Sequence, residues 1–191
     1  MASFVATFEA FLGLLGFAIA TGLFYGRFSR PRAYLKFSET AVVAPFEEGS
    51  AIMFRVASYK NNMLSEAEVN ITAAIEENID GKLVSKFYQI EPTLKKINSF
   101  SLNWTLVHKI DSNSPFYGFS EDDFKNTDIE LIIMIKAFDE VFANTVVQRT
   151  SYITPEIVYG ARFLPMYHSS EDNKTTILDL DKIDDYLAVK I

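Results

Sequence analysis

The sequence predicts a mainly β chain, a two-sheet sandwich of short strands preceded by one transmembrane α-helix, and three observations predict it. An unbroken apolar run fills residues 3–26 with a single ionisable side chain, Glu9. Four basic residues follow at once: Arg27, Arg30, Arg32 and Lys36. Beyond about residue 39 the pattern changes to short, alternating stretches bounded by turn residues.

A length of 191 residues suits one core-bearing domain with an appendage. Cysteine is absent, which removes disulfide frameworks, thiol nucleophiles and cysteine-based zinc sites together. The net charge of -7 argues against a nucleic-acid partner, because phosphate contacts need clustered Lys and Arg; it points instead to cations.

The run "SFVATFEAFLGLLGFAIATGLFYG" is long enough to cross a hydrocarbon core, for which about 20 helical residues suffice. It lacks the basic leader of a secretory signal and exceeds the roughly 7–15 apolar residues such a signal carries. Every nearby positive charge follows the run, so the bias toward basic cytoplasmic flanks puts the chain in the cell membrane with residues after about 27 in the cytoplasm. The sequons at Asn70, Asn103 and Asn173 then read as coincidence. Glu9 needs an account, since a carboxylate near mid-membrane costs on the order of 2.5–3.5 kcal/mol unless it meets water or a partner. Either it sits near an interface or is protonated, or it lines an aqueous ion path. Gly13, Gly16 and Gly22 in the same helix permit close packing or a bend.

Strands are expected at residues 40–46, 51–57, 68–75, 83–90, 100–108, 128–138, 145–153 and 161–167. In "FSLNWTLVH", Phe100, Leu102, Trp104 and Leu106 fall on one face, with Ser101, Asn103 and Thr105 opposite. Ser120 and Thr154 read as N-caps of two short helices, "SEDDF" and "TPEIVYGA". So many strands with so little helix favour an immunoglobulin-like sandwich. The tail from Ser169 is polar and acidic, and is expected to be loosely held.

Catalytic constellations are thin. A Ser/His/Asp set could only be His108, Asp111 and Ser114, all within one short segment, and "HKIDSNSPFYG" reads better as a turn capped by Asp111 and Ser114. There is no phosphate loop, HExxH pair or EF-hand spacing, so neither an enzyme nor a metal site is expected.

Four collinear blocks, "EAFLGLLGFAIATGLFYGRFSRPRA", "FSETAVVAPFEEGSAIMFRVA", "HKIDSNSPFYG" and "DEVFANTVVQRTSY", resemble the inward-rectifier potassium channels, especially their prokaryotic branch. The resemblance implies residues 1–28 as the inner, pore-lining membrane helix, 29–38 as a basic linker and 39–191 as an immunoglobulin-like cytoplasmic domain of a homotetramer. It implies no bound cofactor, with potassium as the permeant ion and block by magnesium or polyamines. The family's first membrane helix, slide helix and Thr-x-Gly-Tyr-Gly filter have no counterpart in this sequence, so a fragment of a longer channel is expected.

Residue by residue, the resemblance makes Glu9 one member of a fourfold carboxylate ring and Tyr25 the bulky aromatic of the inner gate. At about 100° per residue Tyr25 points about 160° from Glu9, while Phe24 falls nearer its face; a bend at Gly13, Gly16 or Gly22 would reconcile the two. Membrane-interface aromatics are the plainer reading of both. Arg27, Arg30, Arg32 and Lys36 match a link where anionic lipid headgroups act in many members, and topological anchoring is their default role. Eukaryotic members carry a Lys-Lys pair after the proline where this chain has Arg32-Ala33, so specificity for one inositol lipid is not implied. Asp139, Glu140, Ala143, Asn144 and Thr145 match a loop that constricts the cytoplasmic vestibule; a plain hairpin turn is the alternative. Four copies would bring 4 × -7 = -28 to the ring. The competing function is a membrane-anchored immunoglobulin-like binding module without a pore.

Overall fold

The computed structural model describes residues 2–60 and 63–191. They form two compact units, one reaching Arg32 and the other running from Ala33 to Ile191. The first is a single helix, α1 (Ala2–Phe28), with no buried residue. The second contains β1 (Leu35–Phe37), β2 (Ala41–Phe46), β3 (Gly49–Ser58), β4 (Leu64–Ile79), β5 (Lys82–Ile90), β6 (Lys96–Phe100), β7 (Asn103–Ile110), α2 (Glu121–Asn126), β8 (Ile129–Asp139), β9 (Asn144–Ile153), β10 (Ile157–Tyr159), β11 (Ala161–Phe163), β12 (Tyr167–Ser169), β13 (Thr176–Leu178) and β14 (Tyr186–Ala188).

Two five-stranded sheets make the sandwich. In the first, β3 carries β7 along one edge and β2 followed by β1 along the other, with β10 beyond β2. In the second the order is β5-β4-β8-β9, with β6 also on β4. Alternation along the central strands builds the core. Val69, Ile71, Ala73 and Ile75 of β4 and Ile129, Leu131, Ile133 and Ile135 of β8 are buried, and Ile71 lies opposite Ile133. Phe54, Trp104 and Leu106 supply the facing layer. Each of the larger side chains contributes about 1.5–3 kcal/mol by leaving water. Asp80 and Gly81, both at positive φ, close the β4–β5 hairpin as Asp-Gly does in a primed turn.

All eight expected strand regions carry strand, and Ser120 does cap α2, with a reciprocal bond from its own N–H to Asp123. Four expectations fail in detail. First, the 100–108 stretch is two strands with a break at 101–102, because Phe100 ends β6 while β7 pairs afresh with β3; Leu102 is therefore outside the alternating face. Second, Thr154 caps no helix. Its hydroxyl donates to the Thr127 carbonyl and accepts from the Ile129 N–H, and one 3-10 turn leads directly into β10. Third, Ile157–Tyr159, expected within that helix, form the strand β10, which pairs with β2 in parallel.

Fourth, the tail is held. β12 pairs with β13 and β14 with β11, Ile183 is fully buried, and the Asp184 carboxylate accepts the Glu39 N–H. Gly160 lets β14 close in: its φ is +71°, and a Cβ there would lie 3.0 Å from the Val189 carbonyl oxygen. The tail is polar outside, yet a few apolar anchors suffice to fix it. Replacing Ile183 by Ala should therefore cost about 2–4 kcal/mol in chemical denaturation, whereas a loose tail would leave stability within about 0.5 kcal/mol of wild type.

Candidate functional site

Along α1 the two threonine hydroxyls are satisfied within the helix, as is Ser29 just past its end. Thr7 donates to the Ser3 carbonyl at 2.9 Å, Thr21 to the Phe17 carbonyl at 2.8 Å and Ser29 to the Tyr25 carbonyl at 2.6 Å. Glu9 is the exception, a carboxylate with no donor from its own helix among the described residues. At about 100° per residue, Gly13, Gly16, Ala20 and Arg27 fall within about 40° of Glu9, as do Val5 and Leu23, while Phe4, Phe11, Leu14, Ala18 and Gly22 lie on the far side. Small residues thus follow the acid one, two and three turns on, at Gly13, Gly16 and Ala20, where a neighbouring segment or a water column can approach the backbone.

The helix runs without interruption through Gly13, Gly16 and Gly22, and a Cβ at any of the three would meet nothing within 4 Å. Nothing in this chain alone therefore demands glycine there; what glycine offers is clearance or freedom to bend. Phe24 stacks on Phe28, with ring centroids 6.3 Å apart, and Tyr25 is 75% exposed on the face away from Glu9. About 24 Å of helix separates Glu9 from Tyr25.

The four basic residues do not act as one group. Arg27, Arg30 and Arg32 are exposed. Lys36 is half-buried in β1, and its ammonium donates to the Leu180 carbonyl at 3.1 Å. Lys36 is thus committed to the folded domain.

The β8–β9 connection is a four-residue hairpin loop, and its two acids part company. Asp139 is fully buried and one carboxylate oxygen accepts the N–H groups of Val141 and Phe142, at 2.9 and 3.1 Å. It shapes the turn and is shielded from solvent, while Glu140 is exposed. Ala143 takes a left-handed conformation at φ +47°, and Asn144 and Thr145 begin β9 in exposed positions. The tip is made of Val141 and Phe142, 67% and 47% exposed. Two exposed apolar residues beside a buried acid are the signal in "DEVFANT" that sequence reasoning passed over.

In the 108–118 turn, Nδ1 of His108 lies 2.8 Å from the Glu91 carbonyl, which can only accept, so Nδ1 carries the proton. Nε2 then accepts the Ser114 hydroxyl at 2.9 Å, and Ser114 Oγ takes the Phe116 N–H at 3.2 Å. Asp111 caps the turn by accepting the Asn113 N–H at 2.9 Å. No carboxylate orients the imidazole, and both His108 and Ser114 are buried, so the three residues make a structural clasp. Burial lowers the imidazole's proton affinity below its ordinary 6.5, with the Glu91 carbonyl and the Asp111 charge partly opposing that effect.

The family model for the inward rectifier potassium channel C-terminal domain matches residues 35–191. Among relatives, the inward rectifier potassium channel Kirbac3.1 of Paramagnetospirillum magnetotacticum is 33% identical over 183 residues, covering 95% of this chain and 62% of the relative. The inward rectifier potassium channel irk-1 of Caenorhabditis elegans is 24% identical over 190 residues, covering 95% of this chain and 35% of the relative. This chain therefore spans at most 62% of the length of these two relatives. A solved structure, the sporulation control protein Spo0M from Bacillus subtilis, covers 65% of this chain and 49% of its own at a TM-score of 0.30 and 8% identity, too little likeness to bear on the fold.

The His108 clasp generates a pH prediction. With the folded imidazole depressed below 6.5, the unfolded chain binds the extra proton first, so stability is full above about pH 6.5 and declines as pH falls toward the folded value. Trp104, the chain's one tryptophan, is buried in the same strand and reports unfolding by fluorescence. The denaturation midpoint should drop as pH falls below about 6.5, and His108→Asn should flatten that drop; equal slopes in the two proteins would remove His108 as its cause.

Proposed function

This chain belongs to the inward rectifier potassium channel family, and on that footing we propose that it forms the inner gate and cytoplasmic ion vestibule of a homotetrameric potassium channel. Its relatives are ion channels rather than enzymes. The observation that carries the reading is the placement of Glu9 in line with Gly13, Gly16 and Ala20 on an otherwise apolar helix. Four such helices around one axis give each carboxylate a shared water column, which removes the cost of placing it in hydrocarbon and concentrates potassium. The same ring would attract magnesium or polyamines from the cytoplasmic side.

Below that ring, the helices carry Phe24 and Tyr25 as gate aromatics. Phe24 needs only a modest rotation to face the axis, whereas Tyr25 needs the bend that Gly13, Gly16 or Gly22 permits. Arg27, Arg30 and Arg32 would lie at the cytoplasmic face of the cell membrane and draw anionic lipid headgroups, at about 1 kcal/mol each. In the β8–β9 loop, Glu140 supplies the exposed charge while Val141 and Phe142 present apolar surface beside Ala143, Asn144 and Thr145. Bound cofactors have no part in this reading, and neither does nucleic acid.

Two measurements test it. Light scattering on detergent-solubilised protein should return four copies, 4 × 21.6 or about 86 kDa of protein; a monomer would favour the membrane-anchored binding module. With a pore-forming segment in frame ahead of residue 1, Glu9→Gln should weaken block by internal magnesium or polyamine by about tenfold and flatten its voltage dependence. Unaltered block would take Glu9 out of the ion path.

A further inference from the structure

The two sheets are joined at one edge by side chains that take the place of a missing strand. Leu35 opens β1, seven residues beyond the last residue of α1, and both of its main-chain polar groups are taken by one side chain, Gln148 of β9. The Leu35 N–H donates to Gln148 Oε1 at 3.0 Å, and Gln148 Nε2 donates back to the Leu35 carbonyl. A carboxamide offers the same donor and acceptor as a peptide group, so Gln148 pairs with Leu35 as a neighbouring strand would.

A second rung lies four residues along β9. Ser38 Oγ donates to the Thr40 carbonyl at 2.8 Å and accepts the Arg55 N–H at 3.1 Å, so its own proton is committed. The buried Tyr152 hydroxyl, 3.3 Å away, is therefore the donor to Ser38. Between the two rungs runs a groove of about 450 Å³ bordered by Phe37, Glu39 and Thr150. Ladder pairing ties β9 to β8 alone, so these rungs are its side-chain fastening to the first sheet.

Position gives the fastening its consequence. β9 begins at Asn144, one residue beyond the loop tip of Val141 and Phe142, and Gln148 lies only about 13 Å further along the strand. A strand is stiff over that length. Any displacement of the loop carried along the strand would meet Leu35, and so the segment by which the chain leaves α1, at this one amide.

We propose that Gln148 is a positioning residue that couples the β8–β9 loop to the linker after the membrane helix. The inference rests on the gating reading for its meaning but not for its test. In the full chain, amide hydrogen exchange at Leu35 is the readout. Gln148→Met, which keeps length and removes both bonds, should speed that exchange about tenfold or more, and Gln148→Glu, which keeps the acceptor and loses the donor, should speed it less. Phe142→Asp at the loop tip should alter exchange at Leu35 in the Gln148 background and leave it unchanged in the Gln148→Met background. Trp104 fluorescence verifies that each variant is folded. Unchanged Leu35 exchange in both Gln148 variants overturns the proposal, as does a Phe142→Asp effect of equal size in the two backgrounds. If the exchange results hold and open probability in a pore-bearing chain is the same with Gln148 and with Met, the coupling stands and the gating reading falls.

Discussion

The solvation of one carboxylate constrains everything else about the membrane unit. Glu9 is the only charged side chain in the first 26 residues, and the Thr7 and Thr21 hydroxyls spend their donors on carbonyls one turn back. No group in α1 offers the acid a hydrogen bond, so whatever stabilises its charge must come from outside the helix. Gly13, Gly16 and Ala20 leave room beside the acid over the next three turns, between Val5 and Leu23 on the same side. An isolated copy of this helix in lipid would carry both an expensive acid and an unfilled face. Association around water answers both at once, whereas packing against lipid answers neither.

The β unit solves a different problem, that of holding a fixed shape at the end of a tether. Its core strands are fully paired, but the first strand is only three residues long, too short to be secure on ladder bonds alone. Its security comes from elsewhere. Gln148 takes both main-chain groups of Leu35, Lys36 reaches the Leu180 carbonyl, and Asp184 takes the Glu39 N–H. The C-terminal segment is in turn pinned by Arg55, whose buried guanidinium lies 4.4 Å from the Phe163 ring centroid and donates to the Leu164 carbonyl. Burial lowers the proton affinity of Arg55, yet an arginine stays charged, so its place beneath the tail is held by contacts that cannot be titrated away.

Much of this was legible in the sequence because it depends on period. An apolar run of membrane length, the turn-bounded apolar stretch "IELIIMIKAF" and the Ser120 N-cap each follow from a local rule, and each is observed. What was illegible depends on partners distant in the chain. Thr154 looks like an N-cap until the N–H of Ile129 claims its oxygen. The tail looks loose until Ile183 finds a cavity to fill. Asp139 looks like a surface acid until the turn folds around it. Lys36 looks like one of four matching charges, and only the fold of the tail separates it from Arg27, Arg30 and Arg32. Gln148 carries no local signal at all, since its partner lies 113 residues away.

The electrostatics change character once these placements are known. The net charge of -7 divides into +2 up to Arg32, from Arg27, Arg30 and Arg32 against Glu9, and -9 beyond it. A single total hides two fields of opposite sign in one chain. Surface pairs such as Lys109 with Glu47 and Lys125 with Glu121 fix several acids locally, and with them little stability, because exposed ion pairs contribute about 0–1 kcal/mol. Asp139 is withdrawn from solvent altogether. The potential felt by a cation near the β8–β9 loop therefore depends on exposed, unpaired acids such as Glu140, and counting carboxylates in the sequence overstates it. The three arginines stay exposed, so the basic segment keeps its full charge where the chain leaves the apolar helix. Attraction of anions at that boundary and of cations at the folded domain are thus separable properties of one polypeptide, set by different residues and open to independent change.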